Sequence, residues 1–239
     1  MWPFHRKYNL IESGVLRGAT DWHSHILPGV DDGVKTLDEA LKVLDFYENI
    51  GIKTLWLTPH VVEDMPNTTE GLRQTFEQLK AAYQGGVTLH LSAENMLDAL
   101  FEERLATSDL LPIGPRGDHL LVELSYLYPP LDLFEKLKRY QAKGYRLVMA
   151  HPERFPYLGD GDYKRMKEAG IQFQLNLLSL TGFYGKAVKT KALRLMEADF
   201  YELWGSDLHR LDVFSSALQQ KCLDKTVLDR LARLKNLEL

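Results

Sequence analysis

The chain has 239 residues, 45% of them hydrophobic and 26% charged, the balance of an ordinary globular protein. A formal net charge of −4, with no long basic run, gives no electrostatic case for nucleic acid or an anionic membrane as the main partner. One cysteine, Cys222, excludes an intramolecular disulfide framework, and no stretch approaches the roughly 20 apolar residues that span a bilayer.

The N-terminal segment MWPFHRKYNLIESG carries charges but no apolar core of signal-peptide length, so the expectation is a cytoplasmic protein without membrane insertion. Residues 21–25 read as the first strand. A helix over 37–49 follows, opened by the capping-box pair Thr36 and Glu39 and closed by Gly51. Leu37, Leu41 and Leu44 share one face of it. Further strands are expected at 53–60, 88–94, 119–125, 146–151, 172–177 and 201–207. The helical patterns between them cover 68–84, 97–105, 131–143, 163–169 and 187–198, and a last one runs over 225–237. "GIKTLWLTPH" and "GYRLVMAHPE" share one form, a glycine closing a helix, an apolar strand, then a histidine at a polar turn. "LLPIGPRGD" reads as a loop, and no low-complexity linker divides the chain.

Seven strands alternating with helices indicate a parallel α/β sheet. A closed or nearly closed barrel of about seven βα units accounts best for one core of this size. An open doubly wound sheet is the alternative, although no G-x-G-x-x-G follows the first strand. The expectation is one domain over 1–239, with 1–20 as an N-terminal extension.

Five of the eight histidines stand at or just past the carboxyl end of an expected strand: His23, His25, His60, His151 and His209. Glu94, Glu123 and Asp207 stand at or near the ends of three strands. The first loop adds two aspartates, Asp31 and Asp32, with Asp31 the better turn residue. In a βα barrel these ends open on one face, so residues distant in sequence converge. A lone strand-end His or Glu is an ordinary capping or salt-bridge residue; the joint pattern is not. Several carboxylates in one cleft repel unless cations or shared protons neutralise them. Imidazole and carboxylate without thiolate suit divalent manganese, iron or zinc at a catalytic centre. Such ions clamp phosphoryl oxygens and make water nucleophilic near neutral pH, which points to phosphoester hydrolysis.

"DWHSHILPGVDDG", "TPH", "AEN", "VELS", "AHPER" and "GSDLH", in this order, resemble the polymerase-and-histidinol-phosphatase (PHP) superfamily. More closely, the chain is similar to the bacterial manganese-dependent protein-tyrosine phosphatases encoded with capsule and exopolysaccharide genes. The resemblance runs from Asp21 to His209 and implies a distorted (β/α)7 TIM-like barrel with three divalent metal ions, manganese first, with iron, zinc or magnesium as alternatives. It implies that His23, His25, Glu94 and Asp207 hold one ion, and that Glu94, Glu123 and His151 hold a second. Asp32, His60 and His209 would hold the third, and Arg154 would meet the substrate phosphate. Asp207 and His209 would then act in catalysis beside Arg154. Relatives carry a further phosphate-facing arginine several residues after the D-x-H motif; here "LDVFSSALQQK" offers none, and Arg210, directly after His209, is the candidate second substrate-binding arginine beside Arg154. The implied partner is a phosphotyrosine protein, the tail of a bacterial tyrosine kinase. A small-molecule phosphatase acting on histidinol phosphate is the neighbouring alternative, and a non-catalytic metal-binding module a more distant one.

A cysteine-based mechanism is excluded, because the arginine position of a C-x5-R loop after Cys222 is Leu228. No G-x-S-x-G elbow is present. His5, His90 and His119 read as surface or packing residues. Asp21 reads either as an orienter of a ligand histidine or as a turn residue. Phe183 and Tyr184, in a glycine-flanked loop over 178–188, either pack or present aromatic rings to a phosphoaryl group.

Overall fold

Parallel ladders running the length of the chain organise a computed structural model that describes residues 6–234. His5 and residues 235–237 of the expected last helix lie outside the described residues. A short turn, α1 (Leu10–Ser13), capped by Asn9, precedes β1 (Thr20–Ser24). The first long helix, α2 (Leu37–Ile50), has the expected Thr36–Glu39 capping box and ends on Gly51 at φ 87°.

The expected strand 53–60 divides into β2 (Thr54–Leu57) and β3 (His60–Val61). Pro59 has no N–H to give the ladder, and the hydroxyl of Thr58 turns back to bond the Ser24 backbone. After α3 (Thr69–Ala82), 88–94 divides likewise into β4 (Thr88–Leu91) and β5 (Glu94–Met96). The remaining units follow as α4 (Ala99–Thr107), β6 (His119–Glu123), α5 (Leu133–Gln141) and β7 (Arg146–Ala150). A single 3₁₀ turn, Pro152–Arg154, leads to α6 (Asp160–Glu168) and β8 (Gln172–Asn176). Then come α7 (Leu177–Thr181), α8 (Lys186–Glu197), β9 (Leu203–Gly205), α9 (Leu211–Leu218) and α10 (Lys225–Leu234). Part of the expected 178–188 loop is therefore helical, and α9 was not among the expected elements.

The strands form a three-stranded sheet, β1-β2-β4, and a six-stranded sheet, β3-β5-β6-β7-β8-β9, all pairs parallel. The architecture is a mixed α/β fold whose parallel sheet curves as a half-barrel. Two backbone bonds tie the sheets on one side, Ser92 N–H to Leu57 O (2.8 Å) and Glu94 N–H to Pro59 O (3.0 Å). On the other side a parallel bridge joins Ser24 to Leu208, flanked by Asp207 N–H to His23 O (2.8 Å).

Side-chain alternation along the strands splits the core in two. Leu120, Val122, Leu147 and Met149 pack with the helices, whereas Trp22, Trp56, Leu121, Val148 and Leu203 form a separate buried cluster. The Trp22 and Trp56 rings stack in it at 5.8 Å. A register shift between Asp21 and Ser24 interrupts the alternation in β1. Trp22 therefore joins this cluster while the His23 ring still reaches Gln174 on β8. Gly205 permits that approach, since a Cβ there would lie 2.4 Å from His23 Cβ. Among the described residues no helix is long and apolar enough to cross a membrane.

Candidate metal centre

The nine expected ligands come together from several places. His23 and Glu123 lie near the ends of β1 and β6, and His25, His151, Asp207 and His209 within four residues beyond β1, β7 and β9. His60 and Glu94 are the first residues of β3 and β5, and Asp32 is in the loop after β1. Each falls in at least one tight group of donor atoms. The groups are His23, His25 and Asp207; His23, Glu94 and His151; His60, Glu94 and Glu123; and His25, Asp32, His60 and His209, with donor atoms within 4.8 Å of one another in each. Glu94, fully buried, joins two of them. The division differs in detail from the one the resemblance implies, because His60 lies against Glu94 and Glu123 as well as Asp32.

Ring orientation tests whether a cation fits. His23 donates from Nδ1 to Gln174 Oε1 (2.9 Å), and His25 donates from Nδ1 to Asp31 Oδ2 (2.8 Å). Each neutral ring is thereby left with a bare lone pair on Nε2. The two Nε2 atoms nevertheless face each other at 3.0 Å, with Glu94 Oε2 and Asp207 Oδ1 between 3.2 and 3.6 Å away. Lone pairs and carboxylate oxygens converging in a dry pocket repel unless a cation or proton lies among them. His60 Nδ1 makes the same point, lying 3.0 Å from Glu94 Oε2 and 3.1 Å from Glu123 Oε1 without hydrogen-bond geometry to either. His209 offers Nδ1 to its own loop, 3.0 Å from Asp207 O, and turns Nε2 toward Asp32 at 3.3 Å. The donor set fits divalent cations.

The protonation pattern agrees. Burial and the neighbouring His25 oppose a charge on His60, but Glu94 and Glu123 outweigh them and push it up to about 10. Burial likewise opposes charge on His23 and His25, and the facing carboxylates still raise both. His151 goes the other way, down to about 4, through burial and the Arg154 guanidinium. Burial and the adjacent Glu94 raise the Glu123 carboxyl. Against its burial, Glu94 is held low by His23 and His60, and Asp207 by His23, His25 and Arg154. Without a metal ion the centre is short of positive charge and takes up protons.

Asp31 and Asp32 divide the work of the first loop. Both oxygens of Asp31 are committed, Oδ1 to Gly33 N–H and Oδ2 to the His25 ring and His60 N–H. Asp32 alone turns an oxygen to His60 and His209. Gly33 closes the loop so tightly that a Cβ would meet His25 O at 2.2 Å. Two of the cluster residues are also backbone exceptions: His151 (φ 33°) and Asp207 (φ 52°) occupy the left-handed region without being glycine.

Arg154 Nη1 donates to Asp207 Oδ2 (2.5 Å), not to Glu153, which is buried and accepts from Tyr201 OH and Asn176 N–H. Its guanidinium lies between the rings of Tyr126 (4.8 Å) and Tyr184 (4.3 Å). Arg210 does not join the cluster; it is exposed and paired with Asp212 at 2.7 Å. Asp21 bonds backbone N–H groups of His23 and Ser206 and the Tyr47 hydroxyl, so it holds the strand rather than a ring. His119 is buried and His90 packs on Trp56. Sequence reasoning did not single out Gln174, or Asn176, whose amide donates to Asp207 Oδ2 (2.8 Å). Two polar residues alternating along an apolar strand were the available signal.

The fold and the cluster together define an α/β protein built around a histidine–carboxylate metal centre. The family model for capsular polysaccharide synthesis proteins CpsB/CapC matches residues 19–229, and the chain belongs to that family. Over 197 residues it is 29% identical to the tyrosine-protein phosphatase YwqE of Bacillus subtilis (strain 168), spanning 80% of this chain and 77% of that one. Over 213 residues it is 29% identical to the tyrosine-protein phosphatase CpsB of Streptococcus agalactiae serotype V, covering 81% and 84% respectively. Among solved structures it is similar to YwqE from Bacillus subtilis and CpsB from Streptococcus pneumoniae, described as metal-dependent tyrosine phosphatases, with TM-score 0.76 and 24% identity over 91% of this chain and 96% of that one. The phosphotriesterase homology protein of Escherichia coli shares the fold at TM-score 0.53 and 13% identity, over 91% and 92% of the two chains.

Proposed function

We propose that the chain is a metal-dependent phosphomonoesterase that hydrolyses phosphotyrosine in proteins. The observation that carries this reading is the pair of bare Nε2 atoms of His23 and His25 facing Glu94 and Asp207 beside the Arg154 fork. The names of the relatives support the substrate class. The family description supports a role in capsular polysaccharide synthesis. A bacterial tyrosine kinase tail as the physiological partner is the further part of this proposal, and it rests on the resemblance alone. A cytoplasmic location belongs to the same reading.

Three divalent ions, manganese first, are proposed. His23, His25, Glu94 and Asp207 would hold one, Glu94, Glu123 and His151 a second, and Asp32, His60 and His209 the third. When bound, such ions polarise phosphoryl oxygens and lower the pKa of water. The chain's own groups do the rest. Gln174 and Asp31 fix the ring tautomers of His23 and His25. Asn176 and Arg154 share Asp207 Oδ2, which leaves Oδ1 to the cluster. Arg154 presents a planar fork of donors suited to phosphate charge that grows as the ester bond breaks. His209, whose Nδ1 is given to Asp207 O, would present Nε2 to the third ion beside Asp32.

The two sheets are proposed to compose one distorted (β/α)7 barrel, supported by the Ser24–Leu208 bridge and by the bonds from β2 across to β4 and β5. The larger of the two core clusters draws on residues from Leu10 to Leu234, which supports a single domain, with the residues before β1 as its extension. The test is phosphate release from a phosphotyrosine peptide by metal-stripped protein, with and without manganese, alongside histidinol phosphate. Manganese-dependent turnover of the peptide is expected. Turnover of histidinol phosphate alone would move the protein to small-molecule chemistry.

A further inference from the structure

Three hollows border the cluster, and they differ in chemistry. One, of about 320 Å³, is lined by the cluster itself with Tyr126 and Arg154. A second, of about 680 Å³, runs past Lys35, Glu39, Lys42 and Asp212 as well as Val34, Val43 and Leu211, and Arg154 is not among its lining residues. The third, of about 400 Å³, is walled by Leu178, Phe183, Tyr184, Val213 and Phe214. It shares Arg154, Asp207 and His209 with the first, so the guanidinium stands on the boundary between cluster and apolar wall.

We infer that this third hollow, between α7, the loop after it and α9, is the slot for the aryl ring of the phosphomonoester whose phosphate meets Arg154. The inference rests on the phosphatase reading above and names its leaving-group specificity. A ring gains by leaving water only where the wall is apolar, and an apolar cavity of ~150 Å³ already holds a benzene. The second hollow is partly apolar too, but it does not reach Arg154, where the phosphate is met. The slot is also preorganised. Leu178 and Phe214 are buried at 4% and 2% exposure. The Tyr184 hydroxyl accepts from Asn176 Nδ2 (3.2 Å), its ring lies 4.3 Å from the Arg154 guanidinium carbon, and Phe183 meets it edge-on at 4.9 Å. Phe183 is half exposed, placed to close over an incoming ring.

The experiment compares kcat/KM for phenyl phosphate and ethyl phosphate in manganese-loaded full-length protein. It uses wild type, Val213→Trp, which fills the slot, and Phe183→Ala, which removes an exposed wall. Metal content and melting temperature are read on each variant. Wild type is expected to favour the aryl ester. Val213→Trp should lower the phenyl-to-ethyl ratio by about tenfold or more, and Phe183→Ala by about threefold, the scale on which apolar pockets discriminate. An unchanged ratio in both variants, or equal loss on both esters, would overturn the slot while leaving the phosphatase reading intact. If Val213→Trp fails to fold, the ratio for Phe183→Ala decides. A wild type that hydrolyses neither ester, nor any phosphopeptide, would remove the phosphatase reading and the slot with it.

Discussion

His23 Nε2 and His25 Nε2 face each other across 3.0 Å, and while the rings are neutral, with Gln174 and Asp31 holding their protons on Nδ1, neither has a proton there to reconcile them. The orienting groups are thus as much a part of the centre as the rings. Replacing Gln174 by Leu should free the His23 tautomer and weaken metal binding by about 10–100-fold, the usual effect of losing such a partner. Competition with a chromogenic chelator measures it. Wild-type affinity in Gln174→Leu would mean that the ring is held by packing alone.

Metal uptake should release protons. Facing carboxylates raise His23, His25 and His60 in the metal-free centre, His60 to about 10, and a ligand nitrogen must be unprotonated. Affinity is therefore expected to rise with pH. Because the folded values lie above the unfolded value of about 6.5, these groups stabilise the metal-free fold fully below that pH and less as pH climbs toward the folded values. The melting-temperature gap between loaded and metal-free protein should widen between pH 6.5 and 9. Calorimetry in buffers of different ionisation enthalpy counts the protons, and a count of zero would contradict the assignment.

Arg154→Lys keeps the charge and loses the fork, the stacking on Tyr126 and Tyr184, and the fixed bond to Asp207. A loss of about 100-fold in kcat/KM on a phosphotyrosine peptide is expected, the scale of removing one preorganised donor. Inhibition by inorganic phosphate should weaken in parallel. Unchanged phosphate inhibition would place the anion elsewhere.

The Tyr47 hydroxyl donates to Asp21 Oδ2 at 2.6 Å, and Asp21 in turn bonds Ser206 N–H at 2.8 Å, so a buried chain ties β1 to the turn bearing Asp207. Tyr47→Phe should cost about 1–3 kcal/mol by leaving a buried acceptor short of a donor. Urea denaturation reads it directly.

The strand ends that carry the cluster were legible because βα alternation and a histidine or carboxylate at each polar turn are both local patterns. The thread linking them was not. Gln174 and Asn176 act across 151 and 31 residues of sequence respectively, and nothing near either announces the partner. Pro59 divided a strand that read as continuous, since the apolar run hides the missing donor. In α9, Leu211, Phe214 and Leu218 carry a helical period, but eight residues hold only about two turns of it, too few to stand out from a loop. The Arg210 side chain, expected at the phosphate, turns to Asp212 two residues on, a local pair that competes with any distant role.

His151 and Asp207 hold positive φ where glycine is the relaxed choice, at a cost of order 1–3 kcal/mol each. A search for stabilising substitutions guided by backbone preference would begin at these two positions. Glycine at either should give a tougher protein that has forgotten its chemistry. Ser108, Asp132 and Asp199 hold the same backbone region outside the cluster, but at His151 and Asp207 the strained residue is also a reactive one, and there reactivity stands ahead of durability.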